Sequence, residues 1–585
     1  MRSFPADSSA DAAMAAQAAH RCFYNALIRE AGDWLFVSDR AAGGAGEYQM
    51  ALAGGARLCI GVRRYSHAGR HHFCGSAYLQ SVDGRRCALS LTDSVPLALA
   101  ALGIAEGSQQ RMLARFWQSC DNIAANLKAR RRDLDALAKR PLNFIEAEGG
   151  LLIGHSLHPC PKARDNFVGD DAARFAPEYA ADFALLWLAV KREHLAHFAA
   201  EGYRLRALIS ELAGADPQVE QWLAALDDGE ELLPCHPFQW RYWQRHPVLA
   251  ERLVAGSLRL LGEGTLPWRA TSSLRAIYCE TAPWMLKFSL NVKLTNSLRT
   301  LQAEELARGA QLAEVLNSER GREFQRRFPQ MSLLLEPLGC CMVDDAGEPI
   351  AETGLLWRAN PFLGAAAEHT EVLATLLQDD PRSGESRLVQ RLRASGNDSA
   401  AGLRQWFAQF LEVAVRPLLL AQANFGLLFG AHQQNLVLRL KDGIWPEHMY
   451  FRDCQGTGFS ALAERQLGLD LRAAGSGLRL IDATMTATLF SYYLFINATF
   501  NVISSLAMSG QLSEAALIAQ LRAFLDGVRC EGVADDSVIR YLLESPELQI
   551  KANFYCALEG LNENTHGDIL SLYRPINNPL KTELN

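Results

Sequence analysis

A basic excess, a paired-cysteine pattern, a secretion signal and a long apolar run are all missing from this 585-residue sequence. The formal net charge is -7, which excludes a dedicated nucleic-acid binder, whose domain would carry a basic excess. The basic run Lys128-Ala-Arg-Arg-Arg132 reads as a solvated helix face. Thirteen cysteines occur without CxxC spacing, so reduced packing thiols are expected in place of disulfides or a zinc site. No apolar run looks long enough to span a bilayer, and Thr488–Asn501, the nearest candidate, reads as a buried helix. Met1–Ser9 lacks the charged-then-apolar layout of a signal peptide, which points to a cytoplasmic chain without a membrane partner.

What is present is ordinary globular composition, with 49% hydrophobic and 21% charged residues, in a chain too long for one core. The expected fold class is mixed α and β (α+β) in three parts. Residues 1–141 read as helix plus a small antiparallel sheet: Ala12–Glu30 is amphipathic, while Glu47–Ala53 and His72–Gln80 alternate. A helical tract over 95–139 is expected to break near Gly107, and Pro141 marks a boundary. Residues 142–385 alternate helix and strand, and the polar, turn-rich Asp379–Glu385 reads as a linker. Residues 386–585 are mostly helical, interrupted by strands at Asn435–Leu440 and Met449–Arg452.

Polar chemistry concentrates in Thr271–Arg275 (TSSLR) and Trp284–Arg299 (WMLKFSLNVKLTNSLR). In the second, Trp284, Leu286, Phe288 and Leu290 alternate with Met285, Lys287, Ser289 and Asn291, so the two segments are expected to form strands. Arg275, Lys287, Lys293 and Arg299 with Ser272, Ser273, Thr295 and Ser297 suit a polyanion, since guanidinium and ammonium groups neutralise phosphate oxygens and hydroxyls complete their bonds. A nucleoside triphosphate or a polycarboxylate is the expected ligand. Gly154–Arg164 (GHSLHPCPKAR) adds two histidines, Lys162 and Arg164 in a loop stiffened by prolines, read as an anion clamp. Pro234–Trp240 (PCHPFQW) is a second His-Pro loop, favoured as structural. His432, Gln434 and Asn435 lead into one strand and Asp453 ends the next. That order resembles the metal-binding end of kinase-like phosphotransferases, and oxygen ligands such as Asn435 and Asp453 suit magnesium. A kinase places its catalytic aspartate where this chain has Gln434, so kinase-style base catalysis is not expected.

These blocks, in this order from Gly154 to Asp453 with Lys551-Ala-Asn-Phe554 beyond, resemble the IucA/IucC family of siderophore synthetases that work without a non-ribosomal peptide synthetase. The resemblance implies a cupped hand of thumb, fingers and palm over the three ranges above, and ATP with Mg2+. It implies adenylation of a carboxylate, typically of citrate, followed by capture with an amine or alcohol to an amide or ester, releasing AMP and pyrophosphate. Carried over by position, Ser272, Ser273, Arg275, Lys287, Lys293, Thr295, Asn296, Lys162 and Gln434 meet the nucleotide. Arg299 bridges the α-phosphate and the carboxylate, His158 and Lys551 meet substrate, and Asn435 and Asp453 hold magnesium. Arg299, Lys287, His158 and His432 are the catalytic candidates, with either histidine a candidate proton acceptor. A homodimer is implied as well. One departure stands out: Gly430 replaces an acidic residue that some members carry two positions before His432. A kinase-like phosphotransferase and a non-catalytic binder of ferric-citrate-like anions are the alternatives.

Overall fold

The computed structural model describes residues 10–39, 45–167, 169–294, 297–471, 478–561 and 567–581. The first helix, Ala10–Glu30, buries Phe23, Tyr24 and Leu27 against the long helix Glu106–Ala129. Phe23 and Phe116 meet edge to face with ring centroids 5.2 Å apart. Five antiparallel strands in sequence order, from Trp34–Ser38 to Arg86–Leu89, form the adjoining sheet. The break in the helical tract comes one turn earlier than the sequence suggests, after Leu91–Ala101, where Gly103 takes the left-handed conformation (φ 65°). Glycine adopts that geometry without the Cβ penalty.

A six-stranded sheet with antiparallel neighbours builds the middle of the molecule. Its order is Arg269–Ala270, Ala276–Tyr278, Trp284–Phe288, Leu355–Ala359, Leu338–Met342 and Leu195–Ala199. The Trp284–Phe288 strand runs between two cores. Leu286 and Phe288 join Trp187, Trp268 and Trp357 on one side, and Met285 joins the core of the first helix on the other. This explains why the alternation does not mean one wet face: Met285, Leu286, Lys287 and Phe288 are all buried. Thr271–Arg275, expected as a strand, is instead a turn. The Thr271 and Leu274 N–H groups donate to Ala276 O and Thr271 O, both at 2.8 Å, and Leu274 has φ 68°. The turn lifts its hydroxyls out of the sheet plane.

The last part is mostly helical around a four-stranded sheet: Met331–Leu333, Trp445–Phe451, Leu436–Lys441 and Thr370–Val372. Asp379–Glu385 is not a free tether. It folds as a turn bridged from Asp379 to Ser386, with Asp379 paired to Arg70 at 2.5 Å. The helix Ala483–Ala507 is longer than the apolar run read from the sequence, and by length and composition it could cross a membrane. Here 89% of its apolar window is buried inside the protein. A π-helical stretch, Ser491–Thr499, lies within it, and Thr499 Oγ1 donates to Leu494 O at 2.8 Å.

Candidate active site

One cavity of about 490 Å3 lies between the six-stranded sheet, the His-Pro loop and the C-terminal elements. The Thr271–Arg275 turn and the strands behind it contribute Ser272, Ser273, Arg275, Lys287, Arg299 and Arg358. The His-Pro loop contributes His155, His158 and Lys162, and the opposite side brings His432, Gln434, Asn435, Asp453 and Lys551.

Lys287 is 2% exposed, and its ammonium lies between Asp453 and Glu336, the latter 3.6 Å away. Arg358 spans the same two acids at 2.6 Å to Glu336 and 2.9 Å to Asp453. Burial lowers the Lys287 pKa, opposed by Asp453 and Glu336. Burial would raise the Asp453 carboxyl, but Lys287, Arg358 and Arg275 outweigh it and hold it well below the usual range, so it stays ionised. Asp453 follows the end of its strand at φ 76°, a left-handed conformation uncommon for a side-chain-bearing residue, which places the carboxylate beside the sheet's cations. Arg299 is lowered to about 10 by burial and by the neighbouring Arg275. Arg275 itself donates to the Arg299 and Thr300 carbonyls at 3.4 and 3.3 Å.

Ser272 is fixed by a network that the motifs did not reveal. The fully buried Glu148 accepts its N–H at 2.7 Å and a guanidinium N–H of Arg452 at 2.5 Å. Arg452 and Gln434 in turn donate to the Ser272 hydroxyl at 3.2 and 3.3 Å. Glu148, Glu336 and Arg358 lie outside every quoted block. The available signal was a charge set among buried residues, as Arg358 is beside Trp357.

The His-Pro loop does not form a clamp of four cations. His155 is lowered to about 3 by burial and by His432, and His158 well below its usual value by burial and by His155, so both rings are neutral. In each, Nδ1 accepts the N–H two residues on, from Leu157 and Cys160 at 3.0 Å. His432 Nδ1 accepts from Gln434 in the same way at 3.3 Å. A neutral imidazole bonded so carries its proton on Nε2. His158, held neutral by burial, therefore presents a donor at Nε2. Lys162 and Arg164 are both held by the buried Glu178, and Lys162 also donates to Leu151 O at 2.5 Å. Cys160 is pushed up to about 12 by burial, which removes it as a thiolate. His236, in the second His-Pro loop, caps its helix through Phe238 N–H at 3.1 Å and packs against Phe175 and Phe183.

Lys293 is not among the residues lining the cavity, and its strand pairs it with Asp165 and Leu298. Thr295 and Asn296 lie outside the described residues. Among the described residues no group of three or more His, Cys, Asp or Glu could hold a metal ion. Asn435 and Asp453 nevertheless fit magnesium carried on a triphosphate, which needs only one or two protein oxygens. The Asn435 amide donates through Nδ2 to Gly430 O at 3.0 Å, which leaves Oδ1 as its acceptor.

A family profile described as IucA / IucC family matches residues 143–378. An N(2)-citryl-N(6)-acetyl-N(6)-hydroxylysine synthase of Vibrio mimicus is 35% identical over 579 residues, covering 96% of this chain and 94% of the relative. The chain belongs to the IucA/IucC family. An Escherichia coli relative of the same description is 32% identical, covering 97% of this chain and 98% of its own. ATP-bound aerobactin synthetase IucA from a hypervirulent pathotype of Klebsiella pneumoniae superposes with a TM-score of 0.87 at 30% identity, covering 97% and 99% of the two chains. Residues 404–566 also match a profile described as Ferric iron reductase FhuF-like transporter, a likeness confined to the C-terminal helical part. Within the IucA/IucC chain described here, the family profile covers the His-Pro loops and the charged strands, whereas His432, Asn435, Asp453 and Lys551 come from beyond it.

Proposed function

We propose that this protein is an ATP-dependent siderophore synthetase that joins a citrate carboxylate to an amine through an acyl-adenylate. The observation that carries the reading is the cavity in which Arg275, Lys287, Arg299 and Arg358 oppose Asp453 and Asn435. The citrate-ligating names of the relatives and the ATP-bound structural neighbour support it.

Attack of a carboxylate oxygen on the α-phosphorus brings two anions together, and fixed cations lower that repulsion. As the bond to pyrophosphate breaks, charge spreads over the equatorial oxygens, where Arg299 and Lys287 stabilise it without reorganising. The network of Glu148, Arg452 and Gln434 holds Ser272 for the nucleotide, with Ser273 and Arg275 beside it. Asn435 and Asp453 would hold a magnesium ion carried on the nucleotide, which would supply charge neutralisation at the pyrophosphate oxygens. The Nε2–H of His158 donates to a substrate oxygen, His432 faces the same substrate, and Lys551 pairs with a carboxylate of citrate not being activated. The amine then attacks the acyl carbon, the bond to AMP breaks, and the amine proton passes to the released AMP phosphate or to water. No covalent enzyme intermediate is needed. We further propose a cytoplasmic homodimer that requires neither membrane nor nucleic acid.

Products separate this reading from a kinase-like one. Incubation with ATP, magnesium, citrate and a panel of amines that includes hydroxylysine derivatives should release AMP and pyrophosphate in step with an amide. Release of ADP, or no citrate-dependent turnover with any amine, overturns it.

A further inference from the structure

Positive charge on the N-terminal part of the molecule is left unused by the chemistry above. Gln17 and Arg21 lie four residues apart on one face of the Ala10–Glu30 helix. With Arg63, His72 and the turn through Arg382 and Gly384, they line a second cavity of about 70 Å3, separate from the first. Its lining holds three arginines and no carboxylate, and His72, lowered to about 4 chiefly by burial, adds a neutral imidazole. Arg382 is satisfied by Asp380 and Asp135, each at 2.7 Å, and Asp379 is taken by Arg70 at 2.5 Å. Arg21 is different. It is 9% exposed, and its Nη2 is buried with no hydrogen-bond partner among the described residues.

The turn closes over that guanidinium. Gly384 has φ 74°, and a Cβ there would come within 2.7 Å of both Arg21 Nη1 and His72 Nε2. Burying a guanidinium group without an acceptor is unfavourable, and a bound anion removes the penalty. Arg21 and Arg63 supply planar donor forks that match a tetrahedral oxyanion.

We propose that this cavity is a binding site for a phosphate-class oxyanion, inorganic phosphate or pyrophosphate, held by Arg21 and Arg63 beneath the Gly384 turn. An anion there ties the first helix and sheet to the turn that leads into the C-terminal helices. Arg21 also lines a pocket of about 20 Å3 with Gly154, Ser156 and Gln433, which flank His155 and His432. Occupancy is therefore placed one side chain away from the active cavity. The inference does not rest on the reaction assigned above.

The test uses the full chain in phosphate-free buffer at constant ionic strength, with the active cavity saturated by a non-hydrolysable ATP analogue. Phosphate, pyrophosphate and citrate are titrated separately and read by thermal unfolding and calorimetry. Saturable stabilisation by phosphate or pyrophosphate is expected, and the tighter of the two identifies the source. Arg63→Glu, at an exposed position, should weaken it at least tenfold while leaving the affinity for the ATP analogue unchanged. Arg21→Gln should do the same, and if it fails to fold Arg63→Glu decides alone. A selenate soak should place an anomalous peak within hydrogen-bond distance of Arg21 Nη2. Absence of a saturable effect, survival of the effect in Arg63→Glu, or a citrate response that Arg63→Glu weakens as much as the phosphate response overturns the proposal.

Discussion

Lys287 and His158 are both buried at the same cavity, and each could carry a positive charge, yet they are treated in opposite ways. Lys287 has Asp453 and Glu336 beside it, so its charge survives burial. His158 instead has His155, Arg115 and Lys551 acting on it, and burial holds it neutral. Low dielectric amplifies whichever partner is present. The strand side of the cavity is thus a charged wall suited to phosphates, and the loop side offers neutral imidazoles beside two cations already paired with Glu178.

Breaking the charged wall should have the largest effect. Glu336→Ala leaves Arg358 and Lys287 sharing Asp453 alone, and losing one partner of a buried ion pair costs about 3–5 kcal/mol. Urea unfolding should show a stability lower by that amount, read as a lower midpoint at unchanged slope. An unchanged midpoint would mean that Arg358 and Lys287 are solvated and the wall is not desolvated at all. Arg299→Ala should lower kcat/KM by about 10²–10³-fold with an unchanged fold, because it removes a contact made in the transition state. Near-normal adenylation in that variant would refute the role given to Arg299.

Burying histidines in the neutral form, as the loop side does, has a pH signature across the molecule. His20, His71, His155 and His236 are each lowered to about 3, chiefly by burial. Below about pH 6.5 the unfolded chain takes up protons that these rings refuse, so stability falls as pH drops from there towards 3. Between pH 7.5 and 5.5 each imidazole should cost on the order of 1 kcal/mol. Glu30, raised to about 8 by burial, and Glu514, also raised by burial, bind protons in the folded state and work the other way. Glu30→Gln should therefore steepen the acid loss measured by denaturant midpoint, and a shallower loss would contradict the sign. The smallest effect is expected at Lys293, which lines neither wall. Lys293→Ala should leave the KM for ATP within about twofold, the scale of a neutral surface change, and a tenfold rise would return it to the nucleotide site.

The sequence made one of these walls easier to read than the other. A lysine inside an apolar alternation, as in Met-Leu-Lys287-Phe, is costly to bury and so announces a partner. The motifs supplied Asp453 but not Glu336 or Arg358, because partners from distant strands meet only when the six-stranded sheet forms. The His-Pro loop was located correctly, but its charge was misread. Composition shows that His155, His158, Lys162 and Arg164 can be cations. Only the folded chain shows that Glu178 takes two of them and that burial discharges the other two. The first helix and the strands at Leu436–Lys441 and Trp445–Phe451 followed from local periodicity. Thr271–Arg275 did not, because a left-handed Leu274 has no sequence signature.

Isotope transfer tests the central claim most directly. With citrate carrying heavy oxygen in its carboxylates, attack on the innermost phosphorus must leave one labelled oxygen in AMP when the amine displaces it, with unlabelled pyrophosphate. Label in inorganic phosphate alongside ADP, or AMP without label, would contradict it.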